Sequence, residues 1–204
     1  KLLFFTRKGW KILKILEERI KQDGIVLPGN VLKVNQFLNH QIDPDLMLDI
    51  GREFVKLFGA EKITKILTIE ASGIAPAIMT GLLLHVPVLF GRKKKASTMP
   101  GKVYSAKVYS YTKKVENTVT VESKFLTATD RVLIVDDFLA NGEAVSGMLE
   151  LCRQAHAQVV GVGIAIEKSF QGGAKRIKDQ GVRLESLAKI SSFDGGQVHF
   201  VGEN

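Results

Sequence analysis

The feature that most constrains the fold is a set of apolar runs that alternate with helical patterns along the chain. These runs are continuous rather than alternating, as in VLIV at residues 132–135, which is typical of strands that are buried on both faces. Such strands occur in parallel sheets whose two faces are covered by helices. The pattern therefore predicts an α/β fold with a mostly parallel central sheet flanked by helices.

Turn and cap signals set the bounds of the predicted elements. Asp43 followed by Pro44 predicts the start of a helix, and Gly59 predicts its end. Short strands are expected within 25–38, around a Pro-Gly turn. The other predicted strands are 63–70, 86–90, 132–137 and 158–167, and the other predicted helices are 11–22, 74–84 and 142–155.

The charge of the chain is positive and unevenly distributed. The formal net charge is +8, yet residues 1–14 and 91–115 are rich in Lys and Arg and contain no acid, so the remaining residues are mildly acidic. Basic segments favour anionic partners such as phosphorylated metabolites, nucleic acid or anionic lipid, although a solvated face has the same composition. Within 91–115, the stretch KVYSAKVYSYT (102–112) is expected to form an extended hairpin or a mobile loop.

The composition disfavours several classes of protein. A chain of 204 residues that is 45% hydrophobic and 25% charged is ordinary for one globular domain. The single cysteine, Cys152, excludes a disulfide framework within the chain and suits a reducing cytosol. The longest apolar run, 82–90, is interrupted by His85 and Pro87 and is too short to span a membrane. We expect a cytoplasmic protein that has no membrane partner.

Three of the predicted strands end in chemically unusual residues. The carboxyl ends of parallel strands meet at one edge of a sheet, where ligands of such folds bind. The three strand ends are therefore expected to converge. They carry Glu70-Ala71-Ser72-Gly73, Asp136-Asp137 and Glu167-Lys168-Ser169-Phe170.

The residues after the second of these strands suit a phosphorylated sugar. The small residues of loop 139–144 let backbone N–H groups approach a ligand, and the helix that follows adds its positive end, which together favour an anion. A plain strand–turn–helix connection also contains Asn and Gly. The adjacent carboxylates of Asp136 and Asp137 repel each other unless they face hydroxyls or a hydrated cation, and a ribose offers two vicinal hydroxyls.

The stretch VLIVDDFLANGEA resembles the motif with which phosphoribosyltransferases bind phosphoribosyl diphosphate (PRPP). Asn141 and Ala144 stand where many of these enzymes have Thr, which leaves fewer hydroxyl donors. From Leu13 to Val201 the chain is similar to the xanthine branch of this type I family. The stretches that carry this similarity are VLKVNQFLNHQIDP (31–44), IEASGIAPA (69–77), VYSYTK (108–113) and IAIEKSFQ (164–171).

The resemblance implies a single domain over 13–204 with a hood from about 13–45 and 171–204. Residues 1–12 form a basic leader that lies outside the resemblance. Asp136 and Asp137 would orient the ribose as the catalytic pair, and Mg²⁺ would accompany PRPP and pyrophosphate. The implied 5′-phosphate ligands are Ala140, Asn141, Gly142, Glu143 and Ala144. The implied pyrophosphate ligands are the N–H groups of Ala71, Ser72 and Gly73.

The implied ligands of the purine are Leu32, Asn39, Lys168 and Phe170. A lysine at the edge suits a purine oxo group, which accepts hydrogen bonds. The basic segment would close over PRPP as a lid, with its tip at Tyr109, Ser110 and Tyr111. The four histidines have no metal-ligand spacing, and no metal site built by the protein alone is expected.

The implied activity is transfer of the 5-phosphoribosyl group from PRPP to N9 of xanthine by a homodimer that binds no nucleic acid. Two alternatives stay open from the sequence. One is a guanine or hypoxanthine transferase, because these purines differ from xanthine at C2. The other is a PRPP-sensing transcriptional regulator of the same fold without catalytic activity, which would need a DNA-binding domain.

Overall fold

A computed structural model describes residues 12–93, 101–110 and 115–203 of the chain. The helices in these ranges are α1 (Ile12–Asp23), α2 (Pro44–Phe58), α3 (Ile74–Leu84), α4 (Glu143–Ala155) and α5 (Gly173–Lys178). The strands are β1 (Ile25–Leu27), β2 (Val31–Lys33), β3 (Lys65–Ile69), β4 (Val88–Gly91), β5 (Val103–Ser110), β6 (Val115–Glu122), β7 (Arg131–Leu139), β8 (Gln158–Lys168), β9 (Leu184–Asp194) and β10 (Gln197–Phe200).

The central sheet has six strands in the order β10-β9-β8-β7-β3-β4. Strands β4, β3, β7, β8 and β9 run parallel, and β10 pairs with β9 antiparallel at one edge. There are two further small antiparallel sheets, β1-β2 and β5-β6, and a bridge between Arg92 and Thr120 links β6 to the end of β4. The predicted α/β fold with a mostly parallel sheet is thus confirmed.

Strand β7 shows why its apolar run is continuous. Leu133 and Val135 belong to the core on the α1 and α2 side of the sheet, whereas Val132 and Ile134 belong to the core on the α4 side. All four side chains are fully buried. Because successive strand residues point to opposite faces, a strand covered on both sides needs an apolar residue at every position.

The helix signals in the sequence agree with the structure. Asp43 caps α2 and its side chain accepts a hydrogen bond from the Leu46 N–H at 3.1 Å, while Pro44 is the first helical residue. Helix α3 has the bounds expected from the sequence. The prediction for 25–38 was too generous, because residues 34–38 form turns in which Phe37 and Leu38 are fully buried.

Strand β5 of the basic segment forms an antiparallel hairpin with β6, which begins at the last residue of the segment, and the two strands pair from Val103–Glu122 to Ser110–Val115. Of the two expected forms, the hairpin is therefore correct for the described part of the segment. The hairpin packs on α4, where Gly147 allows the close approach of Val108. Tyr109 is 40% exposed near the end of β5. Tyr111 and the basic leader up to residue 11 lie outside the described residues.

The α-helices of the described ranges contain between 6 and 15 residues. None of these helices is long and apolar enough to cross a membrane.

Candidate active site

Three segments of the chain meet at the edge of the central sheet that is formed by the carboxyl ends of its parallel strands. Strands β3, β7 and β8 are neighbours and run parallel, so their carboxyl ends lie side by side. The register pairs Leu139 of β7 with Glu167 of β8. The loop after β3 reaches the same place, because Gly73 lies against Asp136. The three strand ends therefore converge as the sequence led us to expect.

The acidic pair lies on β7, close to its carboxyl end. Asp136 is buried, with 5% of its surface exposed, whereas Asp137 is half-buried. The backbone N–H of Asp137 donates to Oδ1 of Asp136 at 3.1 Å. Burial and the adjacent charge of Asp137 raise the pKa of Asp136 well above its usual value, and the positive charge of Lys93 offsets this rise in part.

The pKa of Asp137 is also raised, chiefly because its carboxylate is buried. Hydrogen bonds with Asp136, with backbone groups and with the Ser72 side chain limit the rise. The site thus holds two carboxylates in surroundings that disfavour their charged forms. A ligand that brings hydroxyl groups or a cation to the pair would stabilise the charged forms.

The donor set of this pair is chemically suited to Mg²⁺. This ion prefers oxygen ligands, keeps several of its waters and is commonly held by one or two carboxylates together with substrate phosphates. Asp136 and Asp137 supply such carboxylates. In the part of the chain that the structure describes, no group of three or more His, Cys, Asp or Glu side chains is arranged to hold a metal ion.

Gly73 is the point at which the loop after β3 contacts the acidic pair. A Cβ atom at this position would stand 2.5 Å from Oδ1 of Asp136 and even closer to Oγ1 of Thr68. Only a residue without a side chain fits between them. The hydroxyl of Thr68 is buried and makes no hydrogen bond within the described ranges. Sequence analysis missed Thr68, because a threonine in an apolar strand looks like an ordinary β-branched residue.

The same loop is tied to the start of the basic segment. Oε1 of Glu70 accepts a hydrogen bond from the Lys93 N–H at 2.7 Å, and the Glu70 N–H donates to the carbonyl of Gly91 at 3.2 Å. The peptide bond between Glu70 and Ala71 is cis. Ala71 is exposed and Ser72 is half-buried, so the loop presents backbone at this edge of the sheet.

The loop between β7 and α4 ends in an anion-binding geometry. Gly142 has a φ of +83°, a value that favours glycine, and it precedes Glu143, the first residue of α4. The Ser146 N–H donates to the carbonyl of Gly142 at 2.9 Å. The amide groups of residues 143–145 precede this first bond of the helix, and they point out of its positive end. Such an end favours a phosphate.

Helix α5 packs against this loop, a contact that the sequence did not reveal. The Gly173 N–H donates to the carbonyl of Ala140 at 3.0 Å. Nη1 of Arg176 forms an ion pair with Oε1 of Glu143, and its distance to the carbonyl oxygen of Asn141 is 3.5 Å. Arg176 lies more than thirty positions from the loop in sequence, and no local motif indicates the pairing.

A second cluster surrounds Lys168 at the end of β8. Nζ of Lys168 donates to the carbonyl of Asn30 at 2.7 Å and lies 5.8 Å and 5.9 Å from the ring centroids of Phe138 and Phe193. The ring of Phe170 meets that of Phe193 edge to face, with centroids 5.4 Å apart. Burial lowers the pKa of the Lys168 amine. Aromatic faces and a donor thus lie together, a composition that suits a flat heterocycle.

The structure brings Lys168 and Phe170 together in this cluster. It does not show Leu32 and Asn39 as part of the cluster. Leu32 lies on β2 and is buried in the core, at 5% exposed. Asn39 is exposed in the bend that precedes α2. The role of these two residues in binding the base stays a prediction. The two additional aromatic residues, Phe138 and Phe193, escaped sequence analysis because single phenylalanines usually belong to the core.

Comparison with known proteins identifies the relatives of this chain. Residues 40–196 match the phosphoribosyl transferase domain family. The chain is 65% identical over 191 residues to the xanthine phosphoribosyltransferase of Ligilactobacillus salivarius, with 94% of this chain and 100% of the relative covered. It is 61% identical to that of Lactobacillus johnsonii, with the same 94% and 100% coverage.

Solved structures share the fold at lower identity. The adenine phosphoribosyltransferase of Leishmania tarentolae superposes with a TM-score of 0.71 at 21% identity, covering 90% of this chain and 94% of that one. The enzyme of Trypanosoma brucei gives a TM-score of 0.71 at 21% identity, covering 85% and 79%. These likenesses confirm the fold that the resemblance implied. The chain therefore belongs to the phosphoribosyltransferase family, in the group of the bacterial xanthine phosphoribosyltransferases.

Proposed function

We propose that the protein transfers the 5-phosphoribosyl group of PRPP to N9 of xanthine, forming xanthosine 5′-monophosphate and releasing pyrophosphate. The observation that carries this proposal is 65% identity over the full length of a relative named for this activity. The acidic pair and the glycine loop of the matching motif also meet at the sheet edge where ligands of such folds bind.

The 5′-phosphate of PRPP is assigned to the positive end of α4. The amides of Glu143 and Ala144 precede the first hydrogen bond of the helix, and Gly142 turns the loop so that the backbone can approach a ligand. Ala140 and Asn141 complete the loop. Because this chain has Asn141 and Ala144 where hydroxyl donors are common, backbone amides supply most of the hydrogen bonds to the phosphate.

The ribose is assigned to Asp136 and Asp137. Their raised pKa values reflect burial, and hydroxyl groups that donate to both carboxylates would relieve the penalty. We infer that the pair orients the ribose and does not act as a general base. Bound Mg²⁺ would neutralise part of the charge of the diphosphate, and these carboxylates would hold its water shell.

The pyrophosphate is assigned to the loop after β3 and to Lys93. Ala71 is exposed and Ser72 is half-buried at the edge, and the buried Gly73 places the loop directly beside Asp136. The positive charge of Lys93 acts on Asp136 from the start of the basic segment. Donors and charge at this point stabilise the negative charge that develops on the leaving group.

The purine is assigned to the cluster around Lys168. The ammonium group would donate to a purine oxo group, while Phe170 and its neighbours cover the flat face of the ring. Departure of pyrophosphate leaves positive charge on the ribose, so the transition state is expected to be oxocarbenium-like. The protein then contributes by positioning the base and by electrostatic stabilisation, without a covalent intermediate.

Further features of the proposal come from the family resemblance. They are a single domain over 13–204, a hood from about 13–45 and 171–204, a lid that closes near Tyr109 and Ser110, and a homodimer in the cytoplasm. The bond between Lys168 and Asn30 supports the hood, because it joins the β1-β2 turn to the end of β8. The hairpin β5-β6 supports the lid, because it continues the basic segment that starts beside Glu70.

The test is an assay with PRPP and Mg²⁺ in which xanthine, guanine, hypoxanthine and adenine are offered separately. We expect nucleotide formation from xanthine well above that from the other bases. A preference for guanine or hypoxanthine would retain the chemistry and overturn the assigned base. Binding of PRPP without product from any base would indicate the regulator, and a steep loss of DNA affinity with salt would then be the next measurement.

A further inference from the structure

We propose that Arg176 is a positioning residue for the 5′-phosphate, and that it acts by neutralising Glu143. The inference rests on the proposed function, because it concerns the phosphate subsite at the start of α4. Arg176 lies on α5, outside the PRPP motif, and reaches the loop from the side. It contacts Glu143 and Asn141, which both belong to that motif.

The charge of Glu143 creates the need for this residue. Glu143 is the first residue of α4, so its carboxylate and a bound phosphate compete for the same positive helix end. Two anions within a few ångströms of each other repel, and the repulsion weakens phosphate binding. The ion pair with Arg176 offsets the carboxylate charge and directs the side chain of Glu143 toward α5.

The ion pair is partly protected from solvent. The side chain of Glu143 is 22% exposed and that of Arg176 is 44% exposed. Most single ion pairs at a protein surface contribute little, because water screens them. This pair can have a larger effect on the phosphate, because it sets the charge directly beside the subsite.

Backbone contacts hold the start of α5, and with it Arg176, next to the loop. Gly173 donates to the carbonyl of Ala140, and a Cβ atom on Gly173 would collide with that same oxygen. A Cβ atom on Gly142 would stand 3.3 Å from the Cα of Gly173. The loop and the start of α5 are therefore in contact through two glycines. Arg176 follows Gly173 by three positions, so it lies about one helical turn further along.

A charge-neutralising role makes a specific prediction for pairs of variants. Arg176→Gln leaves Glu143 unpaired and should weaken phosphate binding. Glu143→Gln removes the competing anion, and phosphate binding should be equal to or tighter than that of the unmodified protein. The double variant carries neither charge, and its affinity should return close to the original value. An arginine that bound the phosphate directly would give no such recovery.

The experiment is calorimetric titration of the whole chain and its variants with ribose 5-phosphate. This probe carries the 5′-phosphate and the ribose without the diphosphate, so it occupies the phosphate and ribose subsites and does not react, and the variants compared here change only the phosphate subsite. We expect the Kd to rise about tenfold for Arg176→Gln, which corresponds to about 1.4 kcal/mol. The double variant should lie within about threefold of the unmodified protein, and Arg176→Lys should recover part of the loss.

Lys175→Gln is the matched control. Lys175 is the preceding residue of α5. Its side chain is 81% exposed and forms an ion pair with Asp179, four residues further along the chain, at 2.6 Å. Its replacement removes the same positive charge from the same helix without touching the loop, and the Kd for ribose 5-phosphate should stay unchanged. An equal loss in both variants would overturn the proposal in favour of long-range attraction.

Kinetics separate positioning from general damage to the fold. Arg176→Gln should raise the KM for PRPP and leave the KM for xanthine within about twofold, with equal Tm values as the check on folding. Unchanged affinity in Arg176→Gln, or a double variant as weak as Arg176→Gln, would overturn the inference. If the unmodified protein neither binds ribose 5-phosphate nor forms nucleotide, the proposed function fails first.

Discussion

Gly73, in the loop after β3, is in direct contact with Asp136 on β7: a Cβ atom on Gly73 would stand 2.5 Å from Oδ1 of Asp136. The contact joins the loop assigned to pyrophosphate to a carboxylate assigned to the ribose. The C1 atom of PRPP, where the bond to pyrophosphate breaks, lies chemically between these two groups. The packing of one glycine therefore bears on the geometry of the reaction.

Gly73→Ala should reduce activity strongly. The new methyl group would collide with Asp136 and Thr68, so the loop or the carboxylate must move, and a misplacement of about 1 Å can lower the rate about 100-fold. The measurement is kcat/KM for PRPP together with Tm. Gly172→Ala is the control, because a Cβ atom on Gly172 meets nothing within 4 Å and its φ is −74°. Equal losses in both variants would contradict this view of Gly73.

Asp136→Asn should stabilise the fold at neutral pH while abolishing turnover. Burial and the charge of Asp137 raise the pKa of Asp136 in the folded state, so the folded protein binds this proton more tightly than the unfolded chain does. The contribution of Asp136 to stability therefore falls as pH rises above the unfolded pKa of about 3.9. Asparagine removes the charge and, with it, this penalty.

The check is Tm measured across pH for both proteins. The advantage of Asp136→Asn should be largest at neutral pH and should vanish near about pH 3, where aspartate is protonated in both states. A variant that is less stable at neutral pH would show that hydrogen bonds to the carboxylate outweigh its burial.

Asp137→Asn should lower kcat by about 100-fold or more, because an amide no longer accepts hydrogen bonds at both of its polar atoms. Ser72→Ala is the companion variant. It removes the side-chain hydrogen bond to Asp137 but leaves the Ser72 backbone N–H in place, so a loss of less than about tenfold is expected. Unchanged kinetics in Asp137→Asn would remove this residue from the site.

Lys168→Gln should weaken binding of the base and leave binding of PRPP unchanged. Glutamine loses the positive charge that lies above Phe138 and Phe193, so we expect the KM for xanthine to rise at least about tenfold. The KM for PRPP should stay within about twofold. Steady-state kinetics with each substrate varied in turn measures both values. A larger effect on PRPP than on xanthine would place Lys168 elsewhere in the mechanism.

Asp130→Asn tests a part of the fold far from the site. Nζ of Lys65 donates to Asp130 at 2.8 Å at the amino ends of β3 and β7, opposite to the edge that carries the acidic pair. Burial tends to raise the pKa of Asp130, but hydrogen bonds from Lys65 and Thr127 outweigh it, and the pKa is lowered. The stability from Asp130 is present above its unfolded pKa and is lost as pH falls through the folded pKa.

We expect Asp130→Asn to reduce the free energy of unfolding by about 1–3 kcal/mol at neutral pH, since Lys65 loses its charged partner. The difference should narrow in acid, and kcat at ambient temperature should stay unchanged. Urea unfolding at several pH values, paired with the nucleotide assay, measures both effects. A loss of kcat in the folded variant would contradict this separation of stability from activity.

The sequence predicted the parts of the site that lie together along the chain. Asp136 and the loop after it form one contiguous stretch, in which apolar run, acids and small residues each have a local physical reason. The helix bounds were predictable for the same reason, since caps such as Asp43 act within a few residues. The strand prediction was wrong for 34–38, because the apolar residues of this segment are buried in turns and burial does not require a strand.

The unpredicted parts depend on contacts between distant positions. Arg176, Phe193 and Thr68 have ordinary residue types for their surroundings, and only the folded chain places them beside the motif residues. Gly73 was expected to offer backbone to a ligand, but its contact with Asp136 depends on how β3 aligns with β7. Pairwise packing of this kind leaves no periodic or local signal in the sequence.

The segment from Lys168 to Arg176 joins the base cluster to the phosphate loop through nine residues of continuous chain. Its backbone is fastened at Ser169, which donates to Ile190 at 2.8 Å, and at Gly173, which donates to Ala140 at 3.0 Å. We infer that the segment fixes the distance between the subsite assigned to the purine and the subsite assigned to the 5′-phosphate. A nucleotide that binds at both assigned subsites would have to match this fixed separation, so the backbone between them would contribute to the choice of product.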